Sequence, residues 1–285
     1  MVDLVRPAVA QCLATLLDVG GLPAENELVR RLDLVGRLWP LLAVREAEQV
    51  LASLAALRAA AATPAGYDAI LKRVSDEGRG EGDGGRSAEC RLSALQRSAD
   101  ERSRVGAMAV TTTLLSTYAA AAASDVPSPS GADPMRMDEG CDSMDATATT
   151  GALLESLRAL VGAFSPSSST SAPDAISALA KSLSADVRAG ALELLGALAC
   201  TEWGARELCA SEGTLEVLMT AADVHLLSPA EMRAKHAVAA NLVRWPSSAA
   251  ALGPAATTAL TAYVAAGPFA PQRPRAAVLA APLTL

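Results

Sequence analysis

Aromatic residues make up only 3% of this 285-residue sequence, histidine occurs twice, and lysine is confined to Lys72, Lys181 and Lys235. Each shortage closes a class of function. Without aromatics there are no stacking platforms for single-stranded nucleic acid. With a formal net charge of −7 there is no basic face for a phosphate backbone or an anionic membrane. The histidines, His225 and His236, form no H-E-x-x-H, and no G-x-S-x-G elbow offers a serine nucleophile. Asparagine is limited to Asn26 and Asn241, which excludes the repeated Asn ladder used by peptide-gripping armadillo domains. No window alternates apolar and polar residues over a useful length, so strands are not expected.

The five cysteines, Cys12, Cys90, Cys141, Cys200 and Cys209, include no C-x-x-C. Their odd number and irregular spacing predict reduced thiols in the cytoplasm or nucleus, with no secretory leader expected. Cys200 and Cys209 read as small core residues. The hydrophobic fraction of 51% comes largely from alanine, which favours closely packed helices over greasy surface. Two long uncharged runs, 105–124 and 245–272, do not read as membrane spans. The first carries Thr111, Thr112, Thr113, Ser116 and Thr117, and the second is divided by Pro246, Pro254, Pro268 and Pro271. A soluble protein is expected.

Helical periodicity is what the chain does have. Residues 3–18 and 25–39 read as helices, the second marked by Leu28, Leu32, Val35 and Leu38 and stopped at Trp39-Pro40. Val50, Leu51, Leu54 and Leu57 mark the next, and Tyr67, Ile70, Leu71 and Val74 a shorter one after Pro64. Around 101–123 the expected stripe is Val105, Met108, Ala109, Thr112 and Leu115. From Gly151 onward the marks are Leu153, Leu154, Leu157, Leu160, Val161 and Phe164. Ile176, Leu179, Ala180 and Leu183 follow, then Val187, Ala191, Leu194, Leu195 and Leu198, then Trp203 with Leu208. Gly213 is placed at a helix C-terminus, with a short helix over 214–222. Ser228-Pro229 with Glu231 predicts a capping box, after which Met232, Ala239, Leu242 and Val243 face inward. A last helix covers 255–266 and ends at Gly267-Pro268.

The domain plan that follows is 1–75 helical repeats, 76–100 a Gly-rich charged insertion and 101–123 a further helical repeat. Next come 124–150, a disordered Pro/Ser/acidic linker, 151–267, the C-terminal repeats, and 268–285, a disordered tail. Helix pairs recur about every 40 residues, as HEAT and armadillo units do. The fold class expected is all-α, a HEAT/armadillo-like α-solenoid of stacked short helices with disordered insertions.

Two stretches that imitate chemical motifs are set aside. "GEGDGGRS" fits G-x-G-x-x-G through Gly80, Gly82 and Gly85 and approaches a P-loop with Arg86 and Ser87. It follows a helix rather than a strand, and Glu81 and Asp83 would repel phosphate. Asp138, Glu139, Asp142 and Asp145 lack the glycine and the closing glutamate of an EF-hand loop. No catalytic, metal or cofactor residues are assigned, and an enzyme is not expected.

Residues 176–272 carry a resemblance. "DVRAGALELLGALACTEWGARELCAS", "AEMRAKHAVAANLVRW" and "LTAYVAAGPFAPQRP", in that order, are similar to the C-terminal part of the proteasome non-ATPase regulatory subunit 5 family. The matched positions are Trp203, Lys235, Tyr263, Gly267, Pro268 and Phe269; His236 stands where the family favours Tyr, and Ala270 where it has a second aromatic. Family members are longer on the N-terminal side, so a shortened member is expected. The resemblance implies a HEAT/armadillo-type chaperone for assembly of the 26S proteasome regulatory particle base. It would bind the C-terminal domain of a base ATPase subunit and leave before the mature particle forms. On that reading Arg206, Arg233 and Lys235 are exposed cations that pair with acidic groups or a terminal carboxylate of the partner. Nucleic acid, membrane and small-molecule partners are not expected, and the location is cytoplasmic or nuclear. The alternative is a generic HEAT/armadillo interaction scaffold with an unrelated protein partner.

Overall fold

The computed structural model describes residue 27 and residues 29–79, 90–124, 143–165, 167, 169–220 and 227–269, with backbone alone at 79 and 143–150. The expected helix over 3–18, the motif at 80–87, His225, Asn26, most of the acidic run and nearly all of the tail lie outside the described residues. The chain divides into two compact units, Met1–Phe164 and Ser165–Leu285. Among the described residues there is no strand.

In the first unit the expected helix over 25–39 is interrupted. Asp33 adopts a left-handed conformation (φ 44°, ψ 49°) and caps α1, Leu34–Leu38, by accepting from the Gly36 N–H at 3.3 Å. Aspartate tolerates this region better than most residues. A Cβ on Gly36 would fall 2.2 Å from Oδ2 of Asp33, so a larger residue there would displace the Asp33 cap. Pro40 does not stop the chain; it sits at the start of a 3-10 turn, Trp39–Ala43. Then come α2, Ala47–Ala61, and α3, Pro64–Arg79. After these follow α4, Arg91–Gln96, α5, Glu101–Ser124, and α6, Ser143–Gly162.

Two expected insertions are shorter than predicted. Residues 76–79 continue α3, and α4 falls inside the segment assigned to the 76–100 insertion, with Leu92 fully buried. Helix α6 likewise begins within the segment assigned to the 124–150 linker. The buried stripe of α5 is also displaced: Ala107, Val110, Thr111 and Leu114 join Met108 and Leu115, while Val105, Ala109 and Thr112 are only half-buried. So many small residues line α5 that periodicity alone does not select its inner face.

The second unit begins with α7, Ala172–Leu179, α8, Ala185–Ala199, and α9, Glu202–Ala210. It continues with α10, Glu212–Met219, α11, Pro229–Arg244, and α12, Pro246–Ala266. Hydroxyl caps start most of these helices: Ser171, Ser184, Thr201, Ser211 and Ser228 each accept a first-turn N–H. Each such cap contributes about 1 kcal/mol. The capping box of Ser228 and Glu231 is present as expected. The α8 stripe also holds, with Val187, Ala191, Leu194, Leu195 and Leu198 all buried. Leu183 is not part of any face, because α7 stops at Leu179 and the side chain is 99% exposed. Gly213 ends no helix either. It lies in the first turn of α10, where a Cβ would approach Oδ1 of Asp174 to 2.9 Å. The left-handed glycines are Gly253 (φ 74°), which kinks α12 ahead of Pro254, and Gly267 (φ 88°), which closes it.

Inside each unit the helices pair in the same order. In the second, α7 packs on α10, α8 on α11 and α9 on α12. In the first, the 3-10 turn packs on α4, α2 on α5 and α3 on α6. The details repeat as well. Helices α2 and α8 both have 15 residues and both run into a threonine. The Thr63 hydroxyl donates to Ala60 O at 2.8 Å and accepts from Gly66 N–H at 3.1 Å. The Thr201 hydroxyl donates to Leu198 O at 2.9 Å and accepts from Gly204 N–H at 3.1 Å. The last carbonyl of α2, on Ala61, receives the Thr117 hydroxyl of α5. That of α8, on Ala199, receives the indole N–H of Trp245, just beyond α11. Backbone groups left over at helix ends are thus satisfied by the same neighbour in both units.

Helices α5 and α12 are long and apolar enough to cross a membrane by length and composition. The first buries one face within its unit, and the second is broken at Gly253.

Candidate partner-binding surface

The second unit holds every residue singled out for partner binding, and its polar groups decide which of them are available. The seam between α8 and α11 is closed by Arg188, whose Nε donates to Oε1 of Glu231 at 2.9 Å. Its terminal nitrogen also donates to the Ser182 and Leu183 carbonyls at 3.0 and 2.9 Å. Glu231 is buried, and burial raises its carboxyl pKa. The Ser228 N–H and hydroxyl and the Arg188 guanidinium outweigh burial and hold it below the ordinary value. Between α7 and α10 the hub is Asp174. Its Oδ1 accepts from the Ser211 hydroxyl at 2.6 Å and from Gly213 N–H at 3.1 Å, and Oδ2 accepts from the Ser171 hydroxyl at 2.5 Å. The Ser171 and Ser211 hydroxyls lower the Asp174 pKa. Behind it Ser177 and Thr214, both buried, share a hydrogen bond at 3.0 Å.

Of the three expected partner-binding cations, one is in the wrong place. Lys235 is buried, and its ammonium donates to the Thr220 carbonyl at 3.0 Å, satisfying the end of α10. Lys235 belongs to the buried face of α11, with Glu231, Val238, Ala239 and Leu242. Arg206 is exposed on α9 and is paired along its own helix with Glu202 at 3.3 Å. Arg233 is exposed on α11. The structure therefore puts Arg206 and Arg233 on different helices and takes Lys235 out of the surface.

A residue missed at the sequence level shares Arg233's face. Arg244 is exposed at the end of α11. With Ala237 and Ala240 between them, the two arginines lie within an arc of about 60° around the helix axis. The signal was readable, since eleven residues make close to three turns. The neighbouring face of α8 carries Asp186 and Glu193, both exposed. Asn241 bridges the two helices, its amide donating to Gly196 O at 3.4 Å and to Sγ of Cys200 at 3.1 Å.

The remaining marked residues serve packing. His236 places Nε2 3.1 Å from Val264 O and meets Tyr263 edge-on, with ring centroids 5.5 Å apart, joining α11 to α12. Cys209 is buried as expected, but Cys200 is exposed; burial still pushes both thiols up, with Arg244 opposing it at Cys200. Gly267 caps α12 and Phe269 beyond it is 57% exposed. Among the described residues no group of three or more His, Cys, Asp or Glu side chains is placed to hold a metal ion.

No family model matches the chain, and no curated protein matches it. Among solved structures, the crystal structure of an engineered protein aligns with 91% of this chain and 74% of its own at 14% identity. Its TM-score is 0.29, and so loose a likeness carries no argument.

Proposed function

We propose that this chain is a non-enzymatic α-solenoid of armadillo/HEAT type that acts as an assembly chaperone for the base of the 26S proteasome regulatory particle. It would bind the C-terminal domain of a base ATPase subunit, in the cytoplasm or nucleus, and be released before the mature particle forms. The solenoid part is supported by the pairing of elements three apart in both units, such as α2 with α5 and α8 with α11, an order that stacked three-helix repeats give. The chaperone part is supported by the resemblance over residues 176–272, and the roles of the matched residues are compatible with it. Tyr263 and Gly267 secure the final helix, and Lys235 ties α11 to the end of α10.

Those same roles favour a second reading. Packing and capping positions are needed by any stacked helical repeat, so a general interaction scaffold with another protein partner fits them equally. Pull-down of each isolated base ATPase subunit by the purified chain separates the two. Selective capture of one subunit, lost when its C-terminal domain is removed and absent with mature 26S particles, is the chaperone's expected result. Capture of none overturns it.

A further inference from the structure

We propose that Arg233 and Arg244 form a two-point clamp on α11 for an extended acidic segment of a partner protein. The proposal rests on the interaction-protein reading above and names the chemistry of its partner.

Most cations on this unit are already engaged. Arg188 is held by Glu231 and two carbonyls, Lys181 by Glu216, Arg206 by Glu202 and Lys235 by Thr220 O. Arg233 and Arg244 are exposed and, among the described residues, neither is paired with a carboxylate. Of the six Lys and Arg residues described in this unit, these two are the ones left without a carboxylate or carbonyl partner. Eleven residues of helix separate them by about 16 Å. The floor between them is Ala237 and Ala240, whose methyl groups allow a backbone to lie close. An extended chain rises about 3.3 Å per residue with alternate side chains on one side. Carboxylates four to six residues apart therefore meet both guanidinium groups, each able to take two hydrogen bonds. Asp186 and Glu193 on the adjoining face of α8 repel the same segment, which confines it to the line of α11. The α11 track is held in place from beneath by the Glu231, Lys235 and Asn241 contacts.

The test uses the full chain labelled with 15N at arginine, titrated with Gly-Ser peptides bearing two glutamates four or six residues apart. Exposed ion pairs bind short probes weakly, so a site-resolved readout is required. The Nε–Hε resonances, assigned with R233K and R244K, should shift together and saturably for Arg233 and Arg244 and not for Arg206. The shift should vanish for the peptide bearing two lysines, and R233Q should weaken the saturable shift at Arg244 as R244Q weakens that at Arg233. R233Q/R244Q replaces R233E/R244E in the capture assay below if charge reversal disturbs the helix. No shift, or equal shifts at every exposed arginine, overturns the clamp. Capture of a base ATPase subunit by R233E/R244E as efficient as by the parent overturns the clamp as that partner's site and leaves the chaperone reading standing. Saturable peptide shifts with no ATPase capture by the parent overturn the chaperone reading alone.

Discussion

Arg188 of α8 and Glu231 of α11 meet at 2.9 Å with side chains 14% and 3% exposed, so the seam of the second unit is closed by a nearly dry ion pair. Such a pair is costly to break from one side, because the partner left behind is a buried charge. Arg188→Ala is expected to destabilise this unit by about 3 kcal/mol. Glu231→Gln should cost less, since the amide oxygen can still accept from Arg188, which also keeps the Ser182 and Leu183 carbonyls, although the amide nitrogen cannot accept from the Ser228 N–H. Urea unfolding followed by the fluorescence of Trp203 and Trp245 in a Trp39→Phe background measures both. Equal losses from the two variants would contradict this account.

The threonine-to-glycine junctions make a paired prediction. A Cβ on Gly204 would sit 2.4 Å from Leu198 O, and one on Gly66 would sit 2.1 Å from Ala60 O. Both contacts are with backbone that cannot turn aside. Gly204→Ala and Gly66→Ala should each cost about 2 kcal/mol. Gly151→Ala, where nothing lies within 4 Å, should be neutral or slightly stabilising. Thermal unfolding of the three variants separates them.

Acid should loosen the second unit. Asp174 and Glu231 both have folded pKa values below their ordinary ones, from hydroxyl hydrogen bonds at Asp174 and from Ser228 and Arg188 overcoming burial at Glu231. A carboxyl depressed by folding stabilises the native state when ionised. The contribution is fully present above the unfolded values, about 3.9 and 4.3, and is lost as pH falls through the folded values. Stability measured from pH 7 to pH 3 should therefore fall below about pH 4. Asp174→Asn should flatten part of that limb and also lower stability at pH 7, because the amide nitrogen cannot accept from Ser171 or Ser211. An unchanged limb in this variant would contradict the assignment.

Leu183 and Leu195 are the same residue type twelve positions apart, and only one should matter for stability. Leu195 is fully buried and Leu183 is 99% exposed. Leu195→Ala should cost about 3 kcal/mol, and Leu183→Ser should stay within about 0.5 kcal/mol. Chemical denaturation of both variants decides it.

The legibility of this protein was uneven, for identifiable reasons. The helix at 185–199 could be read almost completely, because large leucines recur at helical spacing behind a serine cap. The capping box of α11 was also local: a hydroxyl accepting a first-turn N–H involves only neighbours in the chain. Helix α5 was harder, since alanine and threonine populate every side of it. The candidate site was read in part. Arg206 and Arg233 are exposed as expected, while Lys235 was misplaced and Arg244 overlooked.

The sequence by itself determined the all-helical class, the capping box of α11 and the apolar stripe of α8, because side-chain spacing and capping act within a few residues. Tertiary structure decided where single residues went. Lys235 is buried where it donates to Thr220 O at the end of α10, and Gly213 is packed against Asp174, which reaches across from α7 to accept its N–H. Leu183 is exposed because α7 ends before it and Arg188 gathers the carbonyls of that loop. Those outcomes depend on groups far apart in the chain, and no local pattern encodes their meeting.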